Sequence, residues 1–427
     1  MAPDNEELNQ RRRTRELLRQ QRLARQKKLI WGLAASALVL VLCGILIFTL
    51  ARDSKNPGTA DPPTPVLTDP VPQETKVRQD KTVIHLTAAG DVNVTDKTVA
   101  AAQLGTGYDY TRVFMDVTPL LTDSDLTVVN FEGNLCGAPY GSQTTSAPQA
   151  LMEALADSGV DLVQMANSCS INNGLIGLSQ TLTNIRAEGM EPLGAYASPE
   201  EFQKTGGYSV REVDGIRIAF VAFTKGMGNL GLPEGNEDCI NLLYTDYDST
   251  YRDVDSEGIS RLLRRIQDEE SPDLTVALLH WGSEYNDQIS PTQESIEKLM
   301  LAEGVDVILG THSHYVQQMK LDREAGTFVA YSLGDLLSDA ERPGSDYSVV
   351  LDLEITRDNI TGITKVTGFE YHPICIQSTE DSLQVVRLDD AIAAYEADNI
   401  QRISEEEYKK MIHARQRIEE RIHPAEK

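Results

Sequence analysis

Cysteine is scarce in this sequence, and its five positions are widely scattered. Cys43 lies in an uncharged apolar stretch, while Cys136, Cys169, Cys239 and Cys375 are separated by long, irregular intervals. Disulfide-rich secreted domains and zinc knuckles place their cysteines at short, regular spacings, so this pattern fits neither class. One or two disulfides remain open in an oxidising compartment, and the sequence does not say which cysteines would pair.

Basic residues are also few over most of the chain. From residue 52 onward, 30 lysines and arginines stand against 61 aspartates and glutamates. Residues 1–28 have the opposite balance, with nine basic and four acidic residues. Because the acidic part of the chain repels a phosphate backbone, we expect no binding to nucleic acid.

Charge is absent altogether between Leu29 and Ala51, a run of 23 residues. About 20 apolar residues are enough for a helix to cross a bilayer, whereas a cleaved signal peptide has a shorter apolar core of about 7–15 residues. The run 29–51 is therefore predicted to be a single transmembrane helix. Basic flanks stay in the cytoplasm, so residues 1–28 are predicted to be cytoplasmic and the chain from residue 52 to be extracytoplasmic.

The part beyond the apolar run divides by composition into a linker, a body and a tail. Residues 52–81 contain six prolines and almost no apolar periodicity, which is typical of an extended linker. Residues 82–378 form the predicted domain. Residues 379–427 are rich in charge pairs at helical spacing and predict a helical tail, which either binds a partner or is a solvated or frayed end.

Within the body, short apolar runs end in polar or glycine residues, and segments of helical period lie between several of them. The predicted helices are Pro148–Ser158, Leu178–Glu188, Glu257–Asp268 and Thr292–Glu303. Pro148 suits the first turn of its helix, where a backbone N–H has no partner in any case. Continuous apolar strands alternating with helices predict an α/β fold with buried sheets covered by helices.

Polar side chains recur at the ends of the predicted strands. They are Asp91, Asn130, Glu132, His280, His312 and His314. The carboxyl ends of strands in an open α/β sheet converge on one crevice, so these groups are expected to meet. Carboxylates and imidazoles together suit Mn²⁺, Fe or Zn²⁺, and two ions can share a bridging carboxylate.

Each of these residues also has an ordinary structural explanation when taken singly. A Gly-Asp pair after a strand, as at Asp91, is usually a turn, and His280 has the alternative of a hydrogen-bonded core histidine. The pair His312 and His314 is a stronger signal, because two imidazoles two residues apart at a strand end point the same way. The complete set favours a metal site more than any member does.

Six motifs occur in an order that resembles the CapA family of poly-γ-glutamate capsule biosynthesis, which is related to calcineurin-like metallophosphoesterases. They are G-D-V (90–92), N-F-E (130–132), A-N-S-C-S-I-N-N-G (166–174), H-W-G-S-E-Y (280–285), G-V-D-V-I-L-G-T-H-S-H (304–314) and Y-S-L-G-D (331–335). The resemblance covers residues 82–378, essentially the whole predicted body.

This resemblance implies a four-layer αββα sandwich with a metal site at the rim of the sheets. Carried over by position, the implied metal ligands are Asp91, Glu132, His280, His312 and His314. Asn130 and Asn167 are implied as supporting residues, with Trp281, Glu284 and Tyr285 lining or buttressing the pocket. The implied cofactor is one or more divalent ions, with Mn, Fe and Zn as candidates.

The block from Asn167 to Asn172 departs from the family pattern, which usually resembles A-N-N-H-x-x-D-x-G. Ser168 stands for the second Asn, Cys169 for the His and Asn172 for the Asp. A thiol with an ordinary pKa of about 8.5 is a poor replacement for histidine as an acid, and an amide exchanges no proton. Asp335 likewise stands where the family generally has Asn. The catalytic residues are therefore left unassigned.

We expect a membrane-anchored extracytoplasmic protein that acts in the synthesis, export or anchoring of an anionic surface polymer, with poly-γ-glutamate as the main candidate. Its expected partners are the membrane and either the polymer or the membrane proteins that make it. Two alternatives stay open: an active metal-dependent hydrolase of envelope polymers, either a phosphoesterase or an amide hydrolase, and a scaffold without catalysis.

Overall fold

The computed structural model describes residues 80–378, 382–397 and 403–424. The predicted cytoplasmic segment, the predicted transmembrane helix and nearly all of the predicted linker lie outside these ranges. Within them, no helix is both long enough and apolar enough to cross a membrane.

The described chain contains strands and helices in mixed order. The strands are β1 (Lys81–Asn93), β2 (Gln103–Leu104), β3 (Gly107–Tyr108), β4 (Leu126–Glu132), β5 (Leu162–Gln164), β6 (Glu191–Leu193), β7 (Ser209–Val213), β8 (Ile216–Thr224), β9 (Leu274–His280), β10 (Val307–Thr311), β11 (Met319–Asp322), β12 (Thr327–Ala330), β13 (Asp335–Leu337), β14 (Tyr347–Asp358), β15 (Thr364–Ser378) and β16 (Leu383–Arg387). The helices are α1 (Asp96–Ala100), α2 (Thr111–Phe114), α3 (Thr118–Thr122), α4 (Gln149–Asp157), α5 (Gly174–Ala187), α6 (Pro199–Thr205), α7 (Ser256–Glu270), α8 (Pro291–Ala302), α9 (Leu388–Glu396) and α10 (Glu405–Ile422).

Two mixed sheets organise the described chain. The first has the order β16-β15-β14-β1-β4-β5-β6, and β13 also pairs with β1. Strands β1, β4, β5 and β6 run parallel, whereas β14, β15 and β16 continue the sheet antiparallel. The second sheet has the order β11-β12-β10-β9-β8-β7, and its four central strands are parallel. The predicted α/β class is confirmed, and the structure adds that both sheets are mixed.

The second sheet is buried on both faces, which explains its nearly continuous apolar strands. Phe220 and Leu278 belong to a core cluster shared with β1 of the first sheet. Val221 and Leu279, one residue further along, pack with Ile259 and other residues of α7 and α8 on the opposite face. Successive strand side chains point to opposite faces, so this sheet lies between the first sheet and these two helices.

The four predicted helices all form, with ends shifted by a few residues. The helix predicted over Pro148–Ser158 is α4, and Pro148 precedes it as the N-cap residue with an extended ψ of 145°. The expectation that this proline lies in the first turn was therefore wrong by one position. Its missing N–H still costs nothing there, because the N-cap N–H lies outside the helical hydrogen bonds.

Aspartates placed just before buried strands align the starts of neighbouring strands. Oδ2 of Asp161, before β5, accepts a hydrogen bond from the Thr127 amide of β4 at 2.9 Å. Oδ2 of Asp306, before β10, accepts from the Thr275 amide of β9 at 2.8 Å. These bonds satisfy backbone donors at the amino ends and thereby help to set the register in which the carboxyl ends come together.

The last described segments belong to the body. Strand β16 pairs with β15, so the first sheet extends past residue 378. The helix α10 has the expected charge pairs, for example Lys409 with Glu405, but Met411 and Ile418 on its other face are buried in the main core. The interpretation of the tail as a solvated or frayed end was therefore wrong, because an apolar stripe spaced at helical period packs against the sheet. The domain boundaries themselves stay predictions.

Candidate metal centre

The carboxyl ends of parallel strands in both sheets meet at one edge of the body. In the first sheet, Asp91 of β1 lies opposite Asn130 of β4. In the second sheet, His280 at the end of β9 lies opposite Thr311 at the end of β10. The backbone amide of His312 donates to Oδ2 of Asp91 at 3.1 Å, which joins the two sheet edges directly. The predicted convergence of strand-end residues is thus present.

Asp91, Glu132 and His280 form a first group in which one ligand atom from each lies within 4.8 Å of the others. All three side chains are buried. Asn130 lies among them: its Nδ2 donates to Oδ1 of Asp91 at 2.7 Å and lies 3.5 Å from Oε1 of Glu132. These contacts orient the carboxylates, because hydrogen bonds to the groups that would bind a metal hold them in position.

A second group shares Asp91 and adds His314 and Asp335, again with all ligand atoms within 4.8 Å. Nδ1 of His314 is 2.8 Å from Oδ1 of Asp335 and 3.7 Å from Oδ2 of Asp91. Asp335 was not among the ligands predicted from the sequence. The sequence signal for this residue is the motif Y-S-L-G-D, which ends at Asp335.

His312 is outside both groups. Its ring centroid is 4.4 Å from that of His280, and its Nδ1 is 3.5 Å from Oγ of Ser168. The backbone φ is +88° at His312 and +57° at His314, a left-handed conformation that is uncommon for residues other than glycine. This backbone turns the two imidazoles toward the site. A ligand role for His312 stays a prediction.

The charges of these groups favour a bound cation. Burial raises the pKa of Asp91 to about 7, with Asp335 adding to the shift and His314 opposing it. Burial and the neighbouring Asp91 raise the pKa of Glu132 well above its ordinary range. Burial alone would lower the pKa of His314, but Asp335, Glu132 and Asp91 outweigh it and raise that pKa to about 11.

The two other histidines at the centre, His280 and His312, remain neutral. Burial lowers the pKa of His280 well below its usual range, and the charges of His312, His314 and Lys225 add to that shift. Burial and Lys225 do the same for His312. Buried carboxylates beside neutral imidazoles form a donor set that fits a divalent transition metal, since a cation removes the cost of burying like charges together.

The block that departs from the family pattern lies beside the first group. Asn167 is fully buried, and its Nδ2 donates to Oδ1 of Asn130 at 3.0 Å. Oγ of Ser168 is 2.9 Å from Nε2 of His280. Cys169 is half-buried, and burial together with Glu132 raises the pKa of its thiol well above the ordinary value. Asn172 is exposed, and its Nδ2 donates to Oγ1 of Thr145 at 3.2 Å. Its side chain also hydrogen-bonds the Cys169 thiol, which opposes part of the rise in the pKa of that thiol.

The four described cysteines are all free thiols. Cys136 lies near the same loop as Cys169, because Asn134, two residues before it, donates through Nδ2 to the Cys169 carbonyl at 3.2 Å. Sγ of Cys136 itself contacts Oγ of Ser146. A raised pKa keeps Cys169 protonated near neutral pH, so it is a weak acid and a poor nucleophile there.

The three predicted pocket residues after His280 take different places. Trp281 is fully buried in the core between the second sheet and helices α7 and α8. It stacks on Tyr331 and donates through Nε1 to the Tyr331 carbonyl at 2.9 Å, so it supports the site from behind. Glu284 is exposed, and its charge contributes to raising the pKa of Glu132. Tyr285 stacks on His314 with ring centroids 4.9 Å apart and lines the site.

The family model for bacterial capsule synthesis protein PGA_cap matches residues 85–340. The chain belongs to this bacterial capsule synthesis family. The match includes every member of the two carboxylate–histidine groups, so the candidate metal centre is part of the family domain. It ends before β14, and the strands and helices from there onward, including α10, lie outside it.

Two related proteins agree with this assignment. The chain is 28% identical over 296 residues to "Capsule biosynthesis protein CapA" of Bacillus anthracis, which covers 66% of this chain and 67% of that protein. It is 23% identical over 268 residues to "PGA biosynthesis protein CapA" of Bacillus subtilis (strain 168), covering 61% of this chain and 65% of that protein. The chain thus spans about two thirds of the length of these relatives.

Solved structures give more distant matches. One is described as the crystal structure of a novel phosphatase from Mycoplasma pneumoniae, with 14% identity and a TM-score of 0.42, covering 69% of this chain and 94% of that one. Another is the calcineurin-like phosphoesterase YfkN from Bacillus subtilis, with 15% identity and a TM-score of 0.39, covering 79% and 97%.

Proposed function

We propose that this capsule synthesis family member acts outside the membrane in the synthesis, export or anchoring of an anionic surface polymer, most simply poly-γ-glutamate. The observation that carries the proposal is the family match over 85–340, within which all the buried ligand groups lie. Two relatives whose names refer to capsule or PGA biosynthesis support the choice of polymer.

The proposal includes the predicted cellular arrangement. Residues 1–28 remain cytoplasmic, 29–51 span the membrane once, and 52–81 hold the body away from the bilayer. The uncharged run between a basic segment and an acidic body supports this orientation. The body itself is a four-layer αββα sandwich of the metallophosphoesterase type in this proposal.

The candidate centre holds one or two divalent ions in this role. A bound ion would supply Lewis-acid chemistry, polarising an oxygen of the polymer or of its precursor. The chain's own residues orient the ligands. Asn130 contacts the carboxylates of Asp91 and Glu132 and is itself held by Asn167, and Asp335 fixes the ring of His314. The buried position of these groups strengthens the charge interactions among them.

A second candidate, hydrolysis of an envelope polymer, is favoured by one observation. Asp91 belongs to both ligand groups, which is the arrangement of a carboxylate shared by two ions. Against it stand Cys169 and Asn172, because neither side chain is suited to the proton transfer that the resembled block would perform. We therefore place this candidate second.

Deletion and complementation in the producing organism test the proposed function. We expect deletion to reduce cell-bound polymer, measured as glutamate released by acid hydrolysis of washed cells, and the parent gene to restore it. Complementation with Asp91→Asn should fail at equal protein level. Unchanged polymer in the deletion strain would contradict the proposal, and normal complementation by Asp91→Asn would contradict the part of it that depends on the metal.

The orientation has its own test. Protease added to intact, wall-free cells should degrade the body, while an epitope placed in residues 1–28 should survive. Protection of the body until the membrane is dissolved would overturn the extracytoplasmic placement.

A further inference from the structure

A polyanion approaching the candidate metal centre meets an acidic body, so any direct contact needs local positive charge. Most basic side chains of the described body are already engaged by carboxylates. Arg264 pairs with Glu303 and Arg357 with Asp273, for example. A cation close to the centre that has no carboxylate partner is therefore a candidate contact for the polyanion.

Lys225 is one such cation, on the side of the centre formed by His280. It follows the last residue of β8, and its backbone amide donates to the His280 carbonyl at 2.8 Å. Its Nζ donates to the Gly282 carbonyl at 2.8 Å and lies 4.9 Å from the ring centroid of Tyr251. The contacts with His280 and Gly282 place Lys225 beside the segment formed by His280 and the two residues that follow it.

Lys225 is held in place without being neutralised. It forms no salt bridge with any residue in the described ranges; the exposed Glu284 is near enough to raise its pKa, against the larger lowering by burial. The Gly282 carbonyl and the Tyr251 ring fix the ammonium group. The carbonyl accepts one of its three N–H donors, which leaves two donors without a hydrogen-bond acceptor in the described ranges. A half-buried cation with spare donors is suited to bind an anion.

Arg342 is the second cation, on the side of the centre formed by His314. Its guanidinium carbon is 4.1 Å from the ring centroid of Tyr285, which stacks in turn on His314. The side chain is exposed and has no carboxylate partner within the part of the chain that the structure describes. Stacking leaves the edge of the guanidinium free to bind a carboxylate with two parallel hydrogen bonds.

We propose that Lys225 and Arg342 form a carboxylate-binding site on the two sides of the metal centre, which holds an anionic polymer across it. The ligand class is a chain with a carboxylate on each repeat, and this choice of ligand rests on the proposed function. Each cation binds a carboxylate that does not react, while the segment between them lies over the two ligand groups. The site thus selects polymers with repeated charge over small monoanions.

Binding of a γ-linked oligoglutamate of about ten residues to the purified full-length protein in detergent tests this site. The variants are Lys225→Met, Arg342→Met and the double variant, in which methionine keeps the length of the apolar stem. The matched control is Arg323→Met/Lys365→Met. It removes one arginine and one lysine charge at the opposite end of the parallel strands from the centre: Arg323 lies in the turn between β11 and β12, and Lys365 of β15 donates to the Glu324 carbonyl of that turn.

We expect the dissociation constant to rise about fivefold for Arg342→Met and about tenfold for Lys225→Met, the range for an exposed and a half-buried charge contact. The double variant should also show a weaker dependence of binding on salt, whereas the control keeps the parent's affinity and salt dependence. Metal content and melting temperature, measured on every variant, identify any loss that comes from misfolding.

Equal binding by the parent and a folded, metal-loaded double variant would overturn the proposal, as would an equal loss in the control. Polyphosphate of matched charge is the second probe: stronger binding of polyphosphate than of oligoglutamate would overturn the carboxylate assignment. The outcomes separate from those of the proposed function. For the double variant, lost oligoglutamate binding with normal surface polymer in the complemented strain contradicts the proposed function alone. Reduced surface polymer with unchanged oligoglutamate binding contradicts the proposed site alone.

Discussion

Oγ of Ser168 lies 2.9 Å from Nε2 of His280, so a serine hydroxyl is hydrogen-bonded to one ring nitrogen of a candidate metal ligand. The same nitrogen is 3.9 Å from Oε1 of Glu132. The block around Ser168 therefore completes one wall of the centre, but with a small hydroxyl where the resembled family has a longer amide.

Restoring the family residues in this block should strengthen hydrolysis if the centre retains any. The triple variant Ser168→Asn/Cys169→His/Asn172→Asp regains an imidazole beside the first ligand group and should raise phosphodiesterase activity toward bis(p-nitrophenyl) phosphate by about 10²-fold or more, a typical contribution of general acid–base catalysis. Adding His314→Ala to the triple variant should abolish that gain. An inert triple variant that is folded and loaded with metal would count against the hydrolase candidate.

The sharing of Asp91 predicts how the metal content changes with each substitution. Asp91→Asn affects both groups, Glu132→Gln only the first and Asp335→Asn only the second. With two ions bound, plasma mass spectrometry should find close to none in Asp91→Asn and about one per chain in each of the others. Equal metal content in Asp91→Asn and the parent would contradict the shared carboxylate. Arg323→Met is a control that leaves the centre intact.

Metal affinity should rise with pH, because a metal replaces protons on its ligands. Asp91 has a pKa of about 7 without metal, so Mn²⁺ affinity should increase steeply as pH rises toward 7. If His314 also gives up its proton, the increase continues beyond pH 7, since its pKa is about 11. Titration calorimetry in buffers of different ionisation enthalpy measures the protons released. Affinity independent of pH between 6 and 8 would contradict both residues as ligands.

The same shifts determine the stability of the metal-free protein. The pKa of Asp91 is raised above its ordinary value of 3.8, so the folded state binds more protons, and this contribution is lost as pH rises through about 7. His314 acts in the same direction: its contribution is complete below its ordinary pKa of 6.5 and is lost progressively as pH rises from there to about 11. We expect the melting temperature without metal to fall from pH 6 to pH 8, and excess Mn²⁺ to reduce that fall.

Arg421 of α10 should matter to the centre although it lies outside the family match. Its guanidinium lies over the rings of Tyr315 and Tyr347 and contacts Asp287, so α10 holds the loops that follow β9 and β10. Arg421→Met should lower the free energy of unfolding by about 1–2 kcal/mol and weaken Mn²⁺ binding. The matched Arg415→Met removes an exposed pair within the tail and should change neither quantity measurably. Equal effects of the two substitutions would contradict the role of Arg421 in holding these loops.

Gly90 should tolerate no side chain. A Cβ there would lie 1.7 Å from the carbonyl oxygen of Gly334, which accepts the Asp91 amide at 3.0 Å. Gly90→Ala must push β1 away from β13 and should cost about 3 kcal/mol or more, with loss of metal binding. Gly107→Ala is the control, because its Cβ would meet nothing nearer than 3.9 Å, so its effect should stay within about 0.5 kcal/mol. Chemical denaturation measures both.

The sequence by itself was sufficient for the α/β class, for the existence of buried strands and for the polar residues that stand at their ends. Local patterns carried this information: apolar runs such as I-R-I-A-F-V-A-F-T need no knowledge of their neighbours to be recognised as buried strands. The motif resemblance likewise located the family domain, since short motifs in order survive at low overall identity.

Only the tertiary structure decided how those strand-end residues divide. It placed Asp91 between two groups, added Asp335 to the second and left His312 outside both. These are distances between residues far apart in sequence, and they depend on how the two sheet edges meet. It also decided that α10 packs on the body, because burial of a sparse apolar stripe depends on whether a complementary surface lies opposite.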